Sequence, residues 1–242
     1  MSVTVTVILC LTVFLAAVVQ GVSGIGFALI VAPVAGLLAP ELLPTALLVL
    51  MIPLNAYVAA REWRSIDLRG MGWISVARVV FTAVGLLLVA TLSTTGLTVL
   101  VAGVTIAAAM VSLFAPPFAP SRWGFLVAGA VTGVSETATG VGGPPMGLVY
   151  QHARPPVIRS TVASCFLIGE VVSLGALVLT GTAGGESGED WFSHVLVLLP
   201  AAVLGTLCST LVVRHLPRLE LRMAVIVFSI VSGMVLLVQA LV

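Results

Sequence analysis

The stretch TGVSETATGVGGPP (Thr132–Pro145) interrupts an apolar region that runs from residue 123 to residue 150. It contains four glycines and two prolines, residue types that weaken, kink or end helices. A second interruption, GVSGIG (Gly21–Gly26), divides the apolar region from residue 3 to residue 38. We call Gly21–Gly26 the first break and Thr139–Gly143 the second break, and the fold follows from these breaks and the segments around them.

The composition defines the class of protein. Of the 242 residues, 60% are hydrophobic and 8% are charged, with a mean hydropathy of +1.26. A soluble domain carries roughly a quarter charged residues, so this chain cannot keep a soluble surface solvated. Disorder needs low hydrophobicity, and a β-barrel needs short alternating strands, so both are excluded. The sequence therefore predicts an all-α integral membrane protein.

The apolar segments predict six full spans and two helical hairpins, which gives eight to ten helices. A spanning helix needs about 20 mostly apolar residues. The predicted spans are 42–60, 71–92, 96–115, 160–181, 195–213 and 223–242. The hairpins are 3–38, whose arms could cross fully, and 123–150, whose arms of about a dozen residues give roughly 18 Å of helix each, too short to span.

The arginines predict the orientation. All ten basic residues are arginine, and nine lie at segment ends: in 61–70, 151–159 and 214–222, and at Arg122. The loops 39–41, 93–95 and 182–194 contain none. Because positive loops face the cytoplasm, both termini are expected outside. Arg122 and Arg154 flank the second hairpin, so it should enter and leave on the same side.

The two halves of the chain match as an internal repeat. Three pairs align with offsets of 116, 115 and 120 residues: Gly24 with Gly140, Asn55 with Glu170, and Gly85 with Gly205. The matches predict repeats 1–116 and 117–242 within one membrane domain, each a hairpin followed by three spans. An odd number of crossings inverts the second copy. Inverted repeats with paired breaks are typical of secondary transporters, with the site near midplane where the breaks meet.

Three segments resemble the TauE/SafE family of sulfite-exporter-type permeases: QGVSGIGFALIVAPV (Gln20–Val34), LNAYVAAREWRSIDLR (Leu54–Arg69) and GVSETATGVGGPPMGLVY (Gly133–Tyr150). The resemblance covers nearly the whole chain, and its most specific part is Gly140–Pro145. It departs from the family at Glu136–Thr137, where many members carry small residues. The resemblance implies a bacterial inner-membrane transporter of sulfite, sulfonates or related small anions, often driven by the proton gradient.

The breaks offer a route to anion binding. An interrupted helix presents unpaired N–H groups and a partial positive charge, and glycines let an oxyanion approach closely. As alternatives, glycines can serve helix packing, hydroxyls can bond to their own backbone, and Asn55 can link helices. The candidate substrate-binding residues are Gly21, Ser23, Gly24, Gly26, Asn55, Arg78, Thr137, Thr139, Gly140, Gly142, Gly143 and Pro144.

Three ionisable residues lie inside apolar stretches. A charge at the bilayer centre costs about 2.5–3.5 kcal/mol on insertion scales, so Glu136 and Glu170 need a cavity, a partner or a proton. Both are candidates for proton coupling, or they are permanently neutral acids. Arg78 could pair with either carboxyl, face the anion, or snorkel to the headgroups.

The function that these features favour is a secondary transporter for a small anion, working by alternating access and coupled to protons. The alternatives are a passive anion channel and a non-enzymatic subunit of a larger membrane assembly. An enzyme is not expected, because the sequence lacks a nucleophile–base set, an HExxH motif and a P-loop lysine. No cofactor, metal or nucleic-acid partner is expected; the partners are the anion and the bilayer, and the oligomeric state stays open.

Overall fold

The chain folds into ten α-helices and two short 3₁₀ turns within the residues that the computed structural model describes: 2–114, 121–183, 191–213 and 218–241, with the backbone alone for 218–222. The 3₁₀ turns are Pro40–Leu42 and Trp63–Ser65. The helices are α1 (Val3–Ser23), α2 (Phe27–Leu38), α3 (Thr45–Arg61), α4 (Leu68–Thr91), α5 (Thr94–Phe114), α6 (Arg122–Thr139), α7 (Gly143–Val149), α8 (Pro155–Leu179), α9 (Trp191–Val212) and α10 (Arg218–Leu241).

Six of the described helices are long and apolar enough to cross a membrane: α1, α4, α5, α8, α9 and α10. Five of them coincide with predicted spans, and the sixth, α1, is the first arm of the first hairpin. The predicted span 42–60 corresponds to α3, which has 17 residues and is one of the shorter apolar helices. These helices confirm the all-α, multi-pass membrane class.

The two arms of the second hairpin are unequal, so the prediction of two arms of about a dozen residues is wrong. Helix α6 has 18 residues, about 27 Å of helix, whereas α7 has only seven. Gly133 does not end α6, because α4 packs so closely that the Arg78 carbonyl lies 2.5 Å from where a Cβ would stand. The helix therefore continues to Thr139, and the break falls near one end of the hairpin.

The two breaks begin with the same local structure at a constant offset of 116 residues, although Gly26 (φ +128°) and Gly142 (φ −137°) differ before the second arms. Each first arm ends in a hydroxyl residue, Ser23 or Thr139, whose oxygen accepts a 3.2 Å hydrogen bond from the amide two residues later. A left-handed glycine follows in each case, Gly24 at φ +88° and Gly140 at φ +78°. Because side chains rarely adopt this φ, glycine is required at both positions. The second arms then begin at Phe27 and Gly143, which are also 116 residues apart.

Corresponding helices of the two halves pack in corresponding ways. Helix α4 lies along α6 and α9 lies along α1, while α3 crosses α8 and α5 packs on α10. Gly85 of α4 meets the carbonyl of Val134, and Gly205 of α9 meets the carbonyl of Phe14. Both the glycines and their partners are 120 residues apart.

The left-handed glycines of the two breaks lie near opposite ends of α3, while Gly143 of the second break contacts Ile25 of the first, where a Cβ would stand 3.4 Å from Ile25 Cβ. A meeting at the bilayer midplane stays a prediction. Gly24 packs on Arg159 near the beginning of α8, and Gly140 packs on Leu47 near the beginning of α3. Arg159 also pairs with Glu62, directly after the end of α3, so α3 and α8 run antiparallel. We call the end that contains the first break, together with Arg61, Arg69 and Arg122, the arginine end.

Candidate functional site

Arg78 lies fully buried between α4, α6 and α8, with 0% of its surface exposed. Its Nη2 is 2.6 Å from Glu136 Oε1, and its Nη1 donates a 3.0 Å hydrogen bond to the Cys165 carbonyl. The guanidinium lies against Gly169, where a Cβ would be 1.6 Å from Nε. The alternative that Arg78 snorkels to the lipid headgroups is therefore wrong. Gly169 makes room for its guanidinium inside the bundle, and the Glu136 carboxylate pairs with it there.

Glu170 ends a chain of buried hydrogen bonds that begins at the first break. The Phe27 amide donates to Gln20 Oε1 at 3.0 Å, and Gln20 Nε2 donates to Asn55 Oδ1 at 3.2 Å. Asn55 Nδ2 then donates to Glu170 Oε1 at 2.6 Å. The chain connects the first residue of α2 to a carboxyl at the crossing of α3 and α8.

The buried cluster formed by Arg78, Glu136 and Glu170 contains one guanidinium and two carboxyls. All three side chains are 0% exposed. Oε2 of Glu136 and Oε2 of Glu170 have no hydrogen-bond partner among the described residues. One guanidinium can balance one carboxylate, so the cluster is electrically neutral only when the other carboxyl holds a proton.

A cavity of about 340 Å³ opens beside the first break at the arginine end. Three predicted binding residues line it: Ser23, Gly26 and Pro144. Gly143 lies next to it, since a methyl group there would be 3.4 Å from Ile25, a lining residue of the first break. The cavity therefore lies between the first break and helix α7.

The other predicted binding residues do not line this cavity. Thr137 shares a 2.7 Å hydrogen bond with Ser173, and Thr139 donates to the carbonyl of Ser135. Gly21 packs on Ser209, and Gly142 packs on Glu136. Gly24 and Gly140 form the turns of the breaks, while Asn55, Arg78, Glu136 and Glu170 lie in the buried interior.

Sequence reasoning missed Arg159 and Gln151, which both line the cavity. The segment 151–159 was predicted as a loop, with Arg159 as a marker of orientation. In the structure α8 begins at Pro155, and Arg159 is buried in its second turn with 5% of its surface exposed. The paired prolines at 155 and 156 are the signal that could have found this, because proline favours the first turn of a helix.

The six long apolar helices and the buried polar interior define a multi-pass helical membrane protein. The chain matches the family model described as Sulfite exporter TauE/SafE over residues 9–236, and it belongs to this family. This match confirms the resemblance seen in the sequence. The members of the family are membrane transporters and not enzymes. Neither a curated protein nor a solved structure matches the chain significantly.

Proposed function

We propose that this chain is a proton-coupled secondary transporter for a small anion such as sulfite, an organosulfonate or a related oxyanion. The observation that carries the proposal is the buried cluster of Arg78, Glu136 and Glu170. Ionisable groups inside a membrane bundle are costly and mark transport pathways or proton relays. A structural ion pair would need one carboxyl, and this cluster contains two.

The proton has a physical place in such a cycle. When both carboxyls are ionised the cluster carries a net negative charge, and that charge is unfavourable inside the bilayer. Uptake of one proton makes it neutral. The chain from Glu170 through Asn55 and Gln20 to the Phe27 amide links that proton to the first break. A change of protonation at Glu170 can therefore alter the hydrogen bonding of Phe27, where the first break leads into α2.

Two cavities support alternating access. One lies at the arginine end beside the first break, with Ser23 and Gly26 in its wall. The other, of about 400 Å³, lies at the opposite end, and Ala138 beside the second break lines it together with Pro44 and Thr94. The first cavity lies between the first break and α7, and the second lies at the other end beside Ala138, so each one can open the interior to one side of the membrane.

The matched breaks and helix contacts support the division into repeats 1–116 and 117–242. If the positive-inside rule applies, the arginine end faces the cytoplasm of a bacterial cell, and the second repeat is inverted relative to the first. Gly85 and Gly205 are 120 residues apart, and so are the carbonyls that they contact, those of Val134 and Phe14. This match favours an inverted repeat over two packing glycines that are not related to each other.

The test is anion uptake into proteoliposomes under an imposed proton gradient, with wild type and Glu170→Gln. Glutamine can still accept the hydrogen bond from Asn55, so the variant should fold and express normally. We expect wild type to accumulate the anion against its gradient and Glu170→Gln to lose the response to ΔpH. Wild-type flux that is indifferent to ΔpH and never exceeds equilibrium would indicate a passive anion channel instead.

A further inference from the structure

The hydrogen bonds between the first break and Glu170 all run in one direction. The backbone N–H of Phe27 can only donate, and as the first residue of α2 it has no carbonyl of its own helix to bond. It donates to Oε1 of Gln20, which leaves Nε2 of Gln20 as the donor to Asn55 Oδ1. Asn55 then has only Nδ2 left for Glu170 Oε1. One group at the break that can only donate thus fixes the orientation of both amides.

Amide side chains are the residue type that such a connection needs. An amide carries one acceptor atom and one donor atom, so two amides in a row turn together, whereas a carboxylate can only accept. We call Gln20 and Asn55 the amide relay. Their side chains are 2% and 0% exposed, and each side-chain nitrogen and oxygen has a partner. Neither water nor a free polar atom therefore competes with the bonds that hold the relay in this orientation.

The second half of the chain has carboxyls at the positions equivalent to the amide relay. The offset of 116 residues that relates the two breaks also relates Gln20 to Glu136, and Asn55 and Glu170 are 115 residues apart. The Glu136 carboxyl lies against the second break, where a Cβ on Gly142 would stand 2.4 Å from Oε2, but no described group donates to this oxygen. A carboxylate cannot pass on an orientation, which assigns the relay to the first break.

Two charged groups face Glu170: Arg78 on α4 and Glu136 on α6. Arg78 pairs with Glu136, and neither makes a described hydrogen bond or ion pair with Glu170, so Asn55 is the described donor to this carboxyl. Helix α7 has no titratable residue. The other titratable residues on the elements packed against α8, none of which has a described bond to Glu170, are Cys10 on α1, Tyr57 and Arg61 on α3, Arg64 on the second 3₁₀ turn, Arg69 on α4 and Arg122 on α6.

We propose that Gln20 is a positioning residue for Glu170: it holds Asn55 as a donor to this carboxyl while the first break keeps the conformation seen here. A hydrogen bond donated to a carboxylate favours its ionised form. When the first break moves and the Phe27 amide leaves Gln20, both amides are free to turn. The Asn55 carbonyl oxygen can then accept a hydrogen bond from Glu170 after it takes up one proton from the aqueous phase. The inference rests on the proposed function, since it names how that transporter ties its proton to one break.

The first test measures the protonation of Glu170 in the purified protein and needs no transport. The infrared band of a protonated carboxyl, assigned to Glu170 by its loss when Glu170→Gln is added, is followed as the pH is changed. Gln20→Met keeps the length of the side chain but breaks the relay, and Asn55→Leu removes the donor itself. In both variants we expect the midpoint of the band to move to higher pH by about one unit, because Glu170 loses the donor that favours its ionised form.

The control Gln239→Met makes the same substitution at an exposed position of α10, and its band should titrate as in wild type. A normal melting temperature shows that a variant is folded. Because Gln20→Met and Asn55→Leu break the chain at different links, either variant that folds suffices. An unchanged midpoint in a folded relay variant, a wild-type band of full height at every pH, or no Glu170 band in any of these proteins would overturn the inference.

The second test is the pH dependence of anion transport by proteoliposomes. Gln20→Met should extend transport to higher pH, in the direction of the infrared shift, whereas a variant that only loses stability would keep the wild-type profile. If wild type shows no proton-coupled transport, the proposed function fails, and the infrared titration still tests the relay. If wild type is coupled and Gln20→Met has the same pH profile, the proposed function stands and the role assigned to Gln20 is wrong.

Discussion

At the scale of single residues, the burial of Arg78 is the feature with the largest energetic consequence. Its guanidinium pairs with Glu136 and donates to the carbonyl of Cys165, and it lies in the space left by Gly169. Removing one member of a buried pair leaves the other charged and uncompensated, which costs about 3–5 kcal/mol. Removing both members costs far less.

We therefore expect Arg78→Met to lower the melting temperature strongly in detergent, because Glu136 loses its counter-charge. The double variant Arg78→Met/Glu136→Gln should recover more than half of that loss. Thermal unfolding monitored by size exclusion or fluorescence checks both. If the separate effects of Arg78→Met and Glu136→Gln simply add in the double variant, the two side chains do not interact.

The sequence identified the three ionisable residues and offered a pairing of Arg78 with either carboxyl, but it did not select Glu136 as the partner. Arg78 and Glu136 are far apart in the chain, and their contact depends on which face of α4 meets α6. That face is set by Gly129 and Gly133, whose missing side chains let the backbones approach. The burial of Arg159 escaped prediction for a related reason, since its charge was read as a sign of exposure.

At the scale of the helices, the glycines separate into those that pack and those that bend. A Cβ at Gly133 would stand 2.5 Å from the Arg78 carbonyl, whereas a Cβ at Gly103 of α5 meets nothing within 4 Å. Gly133→Ala should therefore push α6 away from α4 and lower the melting temperature, along with proton-coupled transport. The matched control Gly103→Ala should be neutral or slightly stabilising, because alanine is the better helix former. Equal stability of the two variants would contradict the close packing.

Gly143 lies where α7 faces the first break. A methyl group there would be 3.4 Å from Ile25 Cβ, an ordinary contact, so Gly143→Ala should fold and bind anions much as wild type does. Gly143→Leu should fill the space between Ile25 and α7 and abolish anion binding. Calorimetry on the folded variants measures this, and wild-type affinity in Gly143→Leu would mean that the glycine serves packing alone.

The positions of the breaks could be predicted from sequence, while the lengths of their arms could not. Glycine at positive φ is a local requirement, so Gly24 and Gly140 are visible in the sequence. The length of α6 depends on tertiary contact with α4, which overrides the weak helix propensity of its glycines. The contact between the two breaks, at Gly143 and Ile25, also depends on tertiary packing, since the left-handed glycine of each break packs on the beginning of a helix from the other half.

At the scale of the whole molecule, the arrangement predicts which loops share a side of the membrane. In a cysteine-free background, Ser121→Cys and His152→Cys should react with an impermeant thiol reagent from the same side. Thr95→Cys, at the opposite end of the bundle, should react from the other side. All three positions are exposed. Labelling of positions 121 and 152 from opposite sides would contradict the hairpin and, with it, the inverted repeat.

The central claim is that the buried cluster couples anion movement to proton movement. The most direct measurement is the internal pH of proteoliposomes after an anion gradient is imposed with no initial pH difference. Wild type should move protons together with the anion, with a pH change that Glu170→Gln abolishes. If wild type passes the anion at the same rate as Glu170→Gln and the internal pH does not change, the account is contradicted.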